Sequence, residues 1–244
     1  MKNNDFRYRI FKGEWYVRGL IYHCKNLTNH YKKIAAGTSS RAHGGKQIGT
    51  LPDIIIMYSP ETQRLQFEFN AFICLARISL DDLRNLLSPV FITKYNNLPK
   101  SFKDFKKGTT ACPIYKMLAE SKIVTYMIDI RDCIVHFRSF ATSDNAKAVR
   151  DGVSEEDLPQ WPSPLANISF RMTRDEKIVT NIYLPDRIFD SSQSTDRKLC
   201  KFTYNEKINI LSQCLEFVKL TNIVYLKAMK LLIKPGKPIY TFKK

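Results

Sequence analysis

Acid and histidine are in short supply in this chain. Only 23 Asp+Glu stand against 39 Lys+Arg, and with four His counted as neutral the formal net charge is +16. A surplus of that size favours polyanions, through counterion release, or anionic membrane surfaces. Nucleic acid is the expected partner of the two. The six cysteines (Cys24, Cys74, Cys112, Cys133, Cys200, Cys214) form no C-x-x-C pair, which removes the usual zinc and dithiol signatures and leaves them as reduced, small apolar side chains. No run approaches the ~18 apolar residues of a membrane span. The start, Met1-Lys2-Asn3-Asn4-Asp5-Phe6-Arg7, lacks the apolar stretch of a secretory leader, so a cytoplasmic protein is expected. A nucleotide loop fails too: Gly44-Gly45-Lys46-Gln47 has Ser40 where the Walker pattern needs Gly, and Gln47 where it needs Ser or Thr. No repeat with a period of about 20 to 50 residues is visible.

What is present is helical periodicity, and 244 residues suffice to bury a core without staples. Residues 14 to 36 read as an amphipathic helix, with Trp15, Gly19, Tyr22, Leu27, Tyr31 and Ile34 near helical spacing and Gly37 as its stop. A Gly/Ser-rich loop over residues 37–50 follows, and the Ile-Ile-Ile-Met run within 53–58 is a short strand or a packed lead-in. Ser59-Pro60 supplies a cap and a first-turn proline for a helix to about Leu87, with Pro89 just beyond. Its stripe is Leu65, Phe69, Phe72, Ile73, Ala76, Leu80, Leu83 and Leu87. After a Lys-rich connection over 95–108, a third helix is expected from Pro113 to about Phe140.

Residues 141–203 read as an insertion: a long loop, then a β-hairpin within 166–184 whose arms flank Thr173-Arg174-Asp175-Glu176-Lys177. Thr203 and Glu206 have capping-box spacing ahead of a final helix to about Ile233, stopped by Pro235-Gly236. The economical architecture is mainly α, a bundle of four to five helices with a small β-hairpin before the last, as one domain over 1–244.

The chemistry concentrates in Arg131-Asp132-Cys133-Ile134-Val135-His136 on the third helix. At about 100° per residue, Ile123, Tyr126, Met127, Ile130, Cys133, Ile134 and Phe137 form one core-facing stripe, while Arg131, Asp132, Val135 and His136 lie on the other side with Val124 and Ile128. Such a mixed second face suits a second copy of the chain or a cleft. Arg offers a planar fork to phosphate oxygens, His moves protons near neutral pH, and Asp132 stands four residues before His136, within reach to orient it. The bland alternative is an interhelical network in which Arg131 pairs with Glu68 or Asp81 and His136 is a satisfied core imidazole. No other set supplies metal ligands: His23 and His30 are seven apart with Cys24 between them and no acid adjacent, and His43 stands alone.

The segment Asp129-Ile130-Arg131-Asp132-Cys133-Ile134-Val135-His136 resembles the signature of the HEPN superfamily, an Arg followed after four to six residues by His, with a polar residue directly after the Arg. Glu68-Phe69-Asn70-Ala71-Phe72 and Arg77-Ile78-Ser79-Leu80-Asp81-Asp82-Leu83 resemble the second-helix pattern of such domains, so the likeness spans roughly residues 63–140. It implies a HEPN-like helical bundle and metal-independent RNA cleavage at a composite site of a homodimer, without cofactor. Arg131, Asp132 and His136 would be the catalytic set and Val124, Ile128 and Val135 the dimer face. Lys103, Lys106, Lys107 and Arg138 are the expected RNA-binding residues. A toxin, phage-defence or RNA-processing role is implied as a class, with an antitoxin or defence-system protein as a candidate partner. The chain departs from small toxin-type members in its length, its Gly-rich loop and its hairpin.

Two other readings compete. One is a non-catalytic helical RNA-binding or protein-interaction module using the same dimer face. The other is a DNA-binding regulator, against which stands the absence of a short helix-turn-helix with Gly at the turn.

Overall fold

The computed structural model describes residues 3–44, 60–90, 112–136, 171–174, 180–184, 208–234 and 237–238. Within them the chain is mainly α, with helices α1 (Asn3–Gly44), α2 (Pro60–Val90), α3 (Pro113–Ala119), α4 (Lys122–His136) and α5 (Ile210–Leu232). The strands are β1 (Arg171–Arg174), β2 (Thr180–Leu184), β3 (Ile208–Asn209), β4 (Ile233–Lys234) and β5 (Lys237–Pro238). The expected helical bundle with a hairpin before the last helix is therefore present. The 37–42 and 43–44 parts of the expected Gly-rich loop belong to α1; the rest of that loop, the 53–58 run, the 95–108 connection and Thr203 with Glu206 lie outside the described residues.

Helix boundaries differ from expectation at instructive points. Gly37 does not stop α1, which continues to Gly44. A single Gly costs about 1 kcal/mol of propensity and cannot end a helix by itself. Pro89 lies within the last turn of α2 rather than just beyond its end. The third helix is two helices. Glu120 closes α3, and Ser121 caps α4, its Oγ accepting a 3.4 Å hydrogen bond from the Val124 amide. The final helix starts at Ile210 because Asn209 is its cap, Oδ1 accepting from the amides of Leu211 (3.0 Å) and Ser212 (3.2 Å).

The hairpin gains a third strand. β1 and β2 are antiparallel with Arg171 opposite Tyr183 and Arg174 opposite Thr180, and β3 pairs with β2 through Tyr183–Asn209 and Leu184–Ile208. After α5 in the chain, β4 and β5 pair antiparallel, with Lys234 opposite Lys237.

Contacts divide the chain into two compact units, and each of α1, α2, α4 and α5 contributes residues to both. Unit one comprises Met1–Tyr22, Phe72–Ile128 and Leu215–Lys244. Its core gathers Tyr16 and Leu20 of α1, Phe72, Ile73, Leu80, Leu83 and Leu87 of α2, Tyr115 and Leu118 of α3, and Phe217, Val224 and Tyr225 of α5. Phe72 and Phe217 meet edge to face at 6.0 Å between ring centroids. Gly13 and Gly19 let α1 approach closely: an added Cβ would lie 2.5 Å from the Tyr225 ring at Gly13 and 2.7 Å from Leu75 Cδ2 at Gly19. The Tyr225 hydroxyl donates to the Ser79 carbonyl at 2.8 Å, and burial pushes its acidity down by raising the phenol pKa.

Unit two comprises His23–Ala71 and Asp129–Cys214. Cys24, Leu27 and Ile34 of α1, Leu65 and Phe69 of α2, Ile130 of α4, Ile182 and Leu184 of β2 and Ile210 and Cys214 of α5 are its buried apolar residues. Cys24 and Cys214 are free thiols in contact, and burial raises the pKa of Cys214.

The α2 stripe is buried at all eight expected positions. For α1 the expected face is wrong in part. Leu27 and Ile34 are buried, but Trp15 and Tyr22 are exposed, and Tyr16, Leu20 and Cys24 take their place. The helix carries two stripes of helical period, and spacing cannot rank them.

Candidate functional site

The motif helix α4 starts at its Ser121 cap and runs without interruption to His136, so Arg131, Asp132 and His136 share one helix as expected. The side chains of Cys133, Ile134, Val135 and His136 lie outside the described residues, as do Lys103, Lys106, Lys107 and Arg138 altogether. By helical register His136 stands one turn beyond Asp132 on nearly the same side, and 140° around from Arg131, as an order-of-magnitude geometry of about 100° per residue.

Arg131 donates through an Nη atom to Asp132 Oδ1 at 3.0 Å, with the guanidinium side chain 28 % exposed and the carboxylate side chain 10 %. The pair therefore joins a mostly buried carboxylate to an arginine side chain that is partly exposed. A buried carboxylate this close holds the fork in one orientation and offsets part of its charge. The partners that a purely interhelical network would have used are engaged elsewhere: Glu68 by His23 and Asn26, and Asp81 by Arg77 at 3.2 Å.

The expected dimer face requires a correction. Val124 and Ile128 are each 2 % exposed, packed inside the chain rather than displayed to a second copy. Together with Met127, Ile130 and Asp132 they give α4 a buried arc of about 200°, wider than the single stripe centred on Ile130. The reason is that aliphatic residues on both sides of a helix are as well satisfied by neighbouring helices as by a partner chain. Ile123 and Tyr126, by contrast, are only half-buried.

A second polar constellation, in unit two, escaped the reading of the chain. His23 Nδ1 donates to Glu68 Oε2 at 2.7 Å, and His30 Nδ1 donates to Glu61 Oε2 at 2.7 Å. The histidines are seven apart on α1 and the glutamates seven apart on α2 in reverse order, which is the register of two antiparallel helices. Asn26 adds a 3.2 Å hydrogen bond to Glu68 Oε1. Glu61 also meets Arg64 at 2.9 Å and Lys33 at 3.8 Å. The hydrogen bond from His30 is the main cause that holds the Glu61 carboxyl below the usual carboxylate range; partial desolvation opposes it, and the charges of Lys33 and Arg64 add to it. The mirrored spacing of the two His and two Glu was the signal available in the sequence, and it becomes visible only once α1 and α2 are taken as antiparallel.

Beside these pairs, the Tyr31 hydroxyl donates to Asn181 Oδ1 of β2 at 3.3 Å and accepts from Asn209 Nδ2 at 3.4 Å. Asn209 thus caps α5 with its oxygen and ties α1 with its nitrogen. Among the described residues no group of three or more His, Cys, Asp or Glu is arranged to hold a metal ion, and no helix is long and apolar enough to cross a membrane.

No family model, curated protein or solved structure matches this chain.

Proposed function

We propose that the protein is a metal-independent endoribonuclease of HEPN type, with Arg131 and His136 as its reacting pair and Asp132 as a positioning residue. The observation that carries the reading is the Arg131–Asp132 pair: a partly exposed arginine bonded to a mostly buried carboxylate, on the helix that carries His136 five residues on. A fixed guanidinium is the group that stabilises charge as it develops on a phosphodiester, since it need not reorganise at the moment of reaction. His136 would take the proton of a ribose 2′-OH as that oxygen attacks the adjacent phosphorus; the 5′-oxygen leaves and a 2′,3′-cyclic phosphate remains. DNA, lacking the hydroxyl, is inert in this scheme. Two copies would bring two such pairs into one cleft at the end of α4, without the inward-packed Val124 and Ile128. The net charge of +16 supports an RNA partner. A role as a toxin, in phage defence or in RNA processing, in the cytoplasm and with an inhibitory or defence partner, belongs to the same proposal.

A second reading has its own observation. Because Arg131 already has a partner within its chain, the same pair suits a non-catalytic RNA-binding or interaction module in which it only braces α4. Purified protein incubated with structured and single-stranded RNA in excess EDTA divides the two. Cleavage to cyclic-phosphate ends, lost by about a hundredfold or more in His136→Ala and in Arg131→Ala, is the expected result. Intact RNA with wild-type protein, bound with a steep salt dependence, would establish the module instead.

A further inference from the structure

α1 displays a row of aromatic side chains to solvent. Tyr8, Phe11, Trp15 and Tyr22 are between 59 and 67 % exposed, and with Arg18 they fall at successive intervals of three, four, three and four residues. That spacing puts all five on one face of the helix, opposite the buried Tyr16 and Leu20. All lie within unit one, and the face extends over about 21 Å of helix. Exposed singly such residues would need no explanation, but four in register form a surface that is costly to leave in water.

The composition of the face narrows the occupant. A seam with another helix is built from aliphatic side chains that interlock, and this face carries none; its fourth position is Arg18. The exposed aliphatic residues of unit one lie off this face: Ile21 about 60° beyond its Arg18 edge on α1, Ile78 on α2, and Leu215, Ile223 and Leu226 on α5. Four aromatic side chains exposed by about two thirds present roughly 500 Å², short of the ~800 Å² per partner of a standard protein interface. Aromatic rings about 4.5, 6 and 10.5 Å apart along the helix axis, the widest gap bridged by the Arg18 guanidinium, suit stacked bases, whatever their identity. The charge agrees in sign: residues 1–22 carry five Lys or Arg against two Asp or Glu, with Arg18 paired to Glu14 at 2.7 Å and Lys12 to Asp82 at 3.3 Å.

We infer that the Tyr8–Phe11–Trp15–Tyr22 face of α1 is a stacking platform for single-stranded nucleic acid, which loads substrate without reading its sequence. That the strand is RNA rests on the ribonuclease reading; the platform itself does not.

The test uses the full chain and labelled oligothymidylate and 2′-O-methyl oligouridylate probes of about 15 nucleotides, neither of which that chemistry can cleave. Wild type should bind both with quenching of tryptophan fluorescence. Trp15→Leu and Tyr22→Leu, at side chains 64 and 59 % exposed, should weaken binding by about tenfold, and Trp15→Phe, which keeps a ring beside Tyr16, should restore most of it. Equal binding by wild type and both leucine variants, or no binding by wild type, overturns the inference. So does a change in oligomeric state of the leucine variants with oligonucleotide binding unchanged, which would make the face a protein seam. Platform-dependent binding by a protein that leaves RNA uncut sinks the ribonuclease reading and keeps the platform.

Discussion

The same helix, α1, is held by shape in unit one and by hydrogen bonds in unit two. In unit one Gly13 and Gly19 sit against Tyr225 and Leu75, with Tyr225 anchored on the Ser79 carbonyl. Lys12 and Asp82, 3.3 Å apart, are the polar contact there. In unit two, beside the buried Cys24, Leu27 and Ile34, α1 makes the polar contacts His23–Glu68, Asn26–Glu68, His30–Glu61 and Tyr31 with Asn181 and Asn209. Steric contacts fail when volume is added, whereas polar ones fail when a donor or a charge is removed. The two stretches of one helix should therefore answer to different perturbations.

Volume gives the largest effect. Gly13→Ala places a methyl 2.5 Å from a ring carbon of the buried, hydrogen-bonded Tyr225, and a net loss of about 2 kcal/mol is expected in urea unfolding after the gain in helix propensity is counted. Gly19→Ala meets only the far end of the Leu75 side chain and should be close to neutral. Equal losses at the two glycines would break the argument that the rigid Tyr225 ring, and not helix crowding in general, sets the limit.

An intermediate effect is expected in unit two at Asn209. Asn209→Ala removes the cap of α5 and the donor to Tyr31 together, a loss of about 1 to 2 kcal/mol. Asn209→Asp keeps the accepting oxygen and loses the donor, so it should recover most of the stability; if it is as damaging as Ala, the Tyr31 tie outweighs the cap.

Charge gives the smallest effect, and it depends on pH. The folded-state pKa of Glu61 lies below its ordinary value of 4.5, so its contribution is complete above that value and is lost as the pH falls through the lower, folded one. Glu61→Gln should therefore flatten the acid limb of a melting-temperature profile below about pH 4.5 while changing its shape little at neutral pH. An unchanged acid limb would show that the His30, Lys33 and Arg64 contacts do not bias this carboxyl.

How much of this was legible differs by element. Every expected core position of α2 is buried, since one stripe there has no competitor. On α1 two stripes compete, and helical spacing alone groups the exposed Trp15 and Tyr22 with the buried Leu27 and Ile34. The break between α3 and α4 was hidden because Ser121 follows Glu120 within an unbroken helical period, and only its accepting Oγ reveals a cap. At the candidate site the sequence displays Arg131, Asp132 and His136 on one helix, yet not that Asp132 is buried or that Val124 and Ile128 pack inward.

By itself the sequence determined the mainly helical class, the α2 face, the hairpin, the cationic surplus and the co-helical Arg-Asp-His set, because period and composition are local properties of the chain. The tertiary structure alone decided which of two stripes α1 buries, which carboxylates meet His23 and His30, and that Asp132 belongs to Arg131. Those outcomes depend on which surfaces meet, and residues distant in sequence become partners only when helices are set side by side.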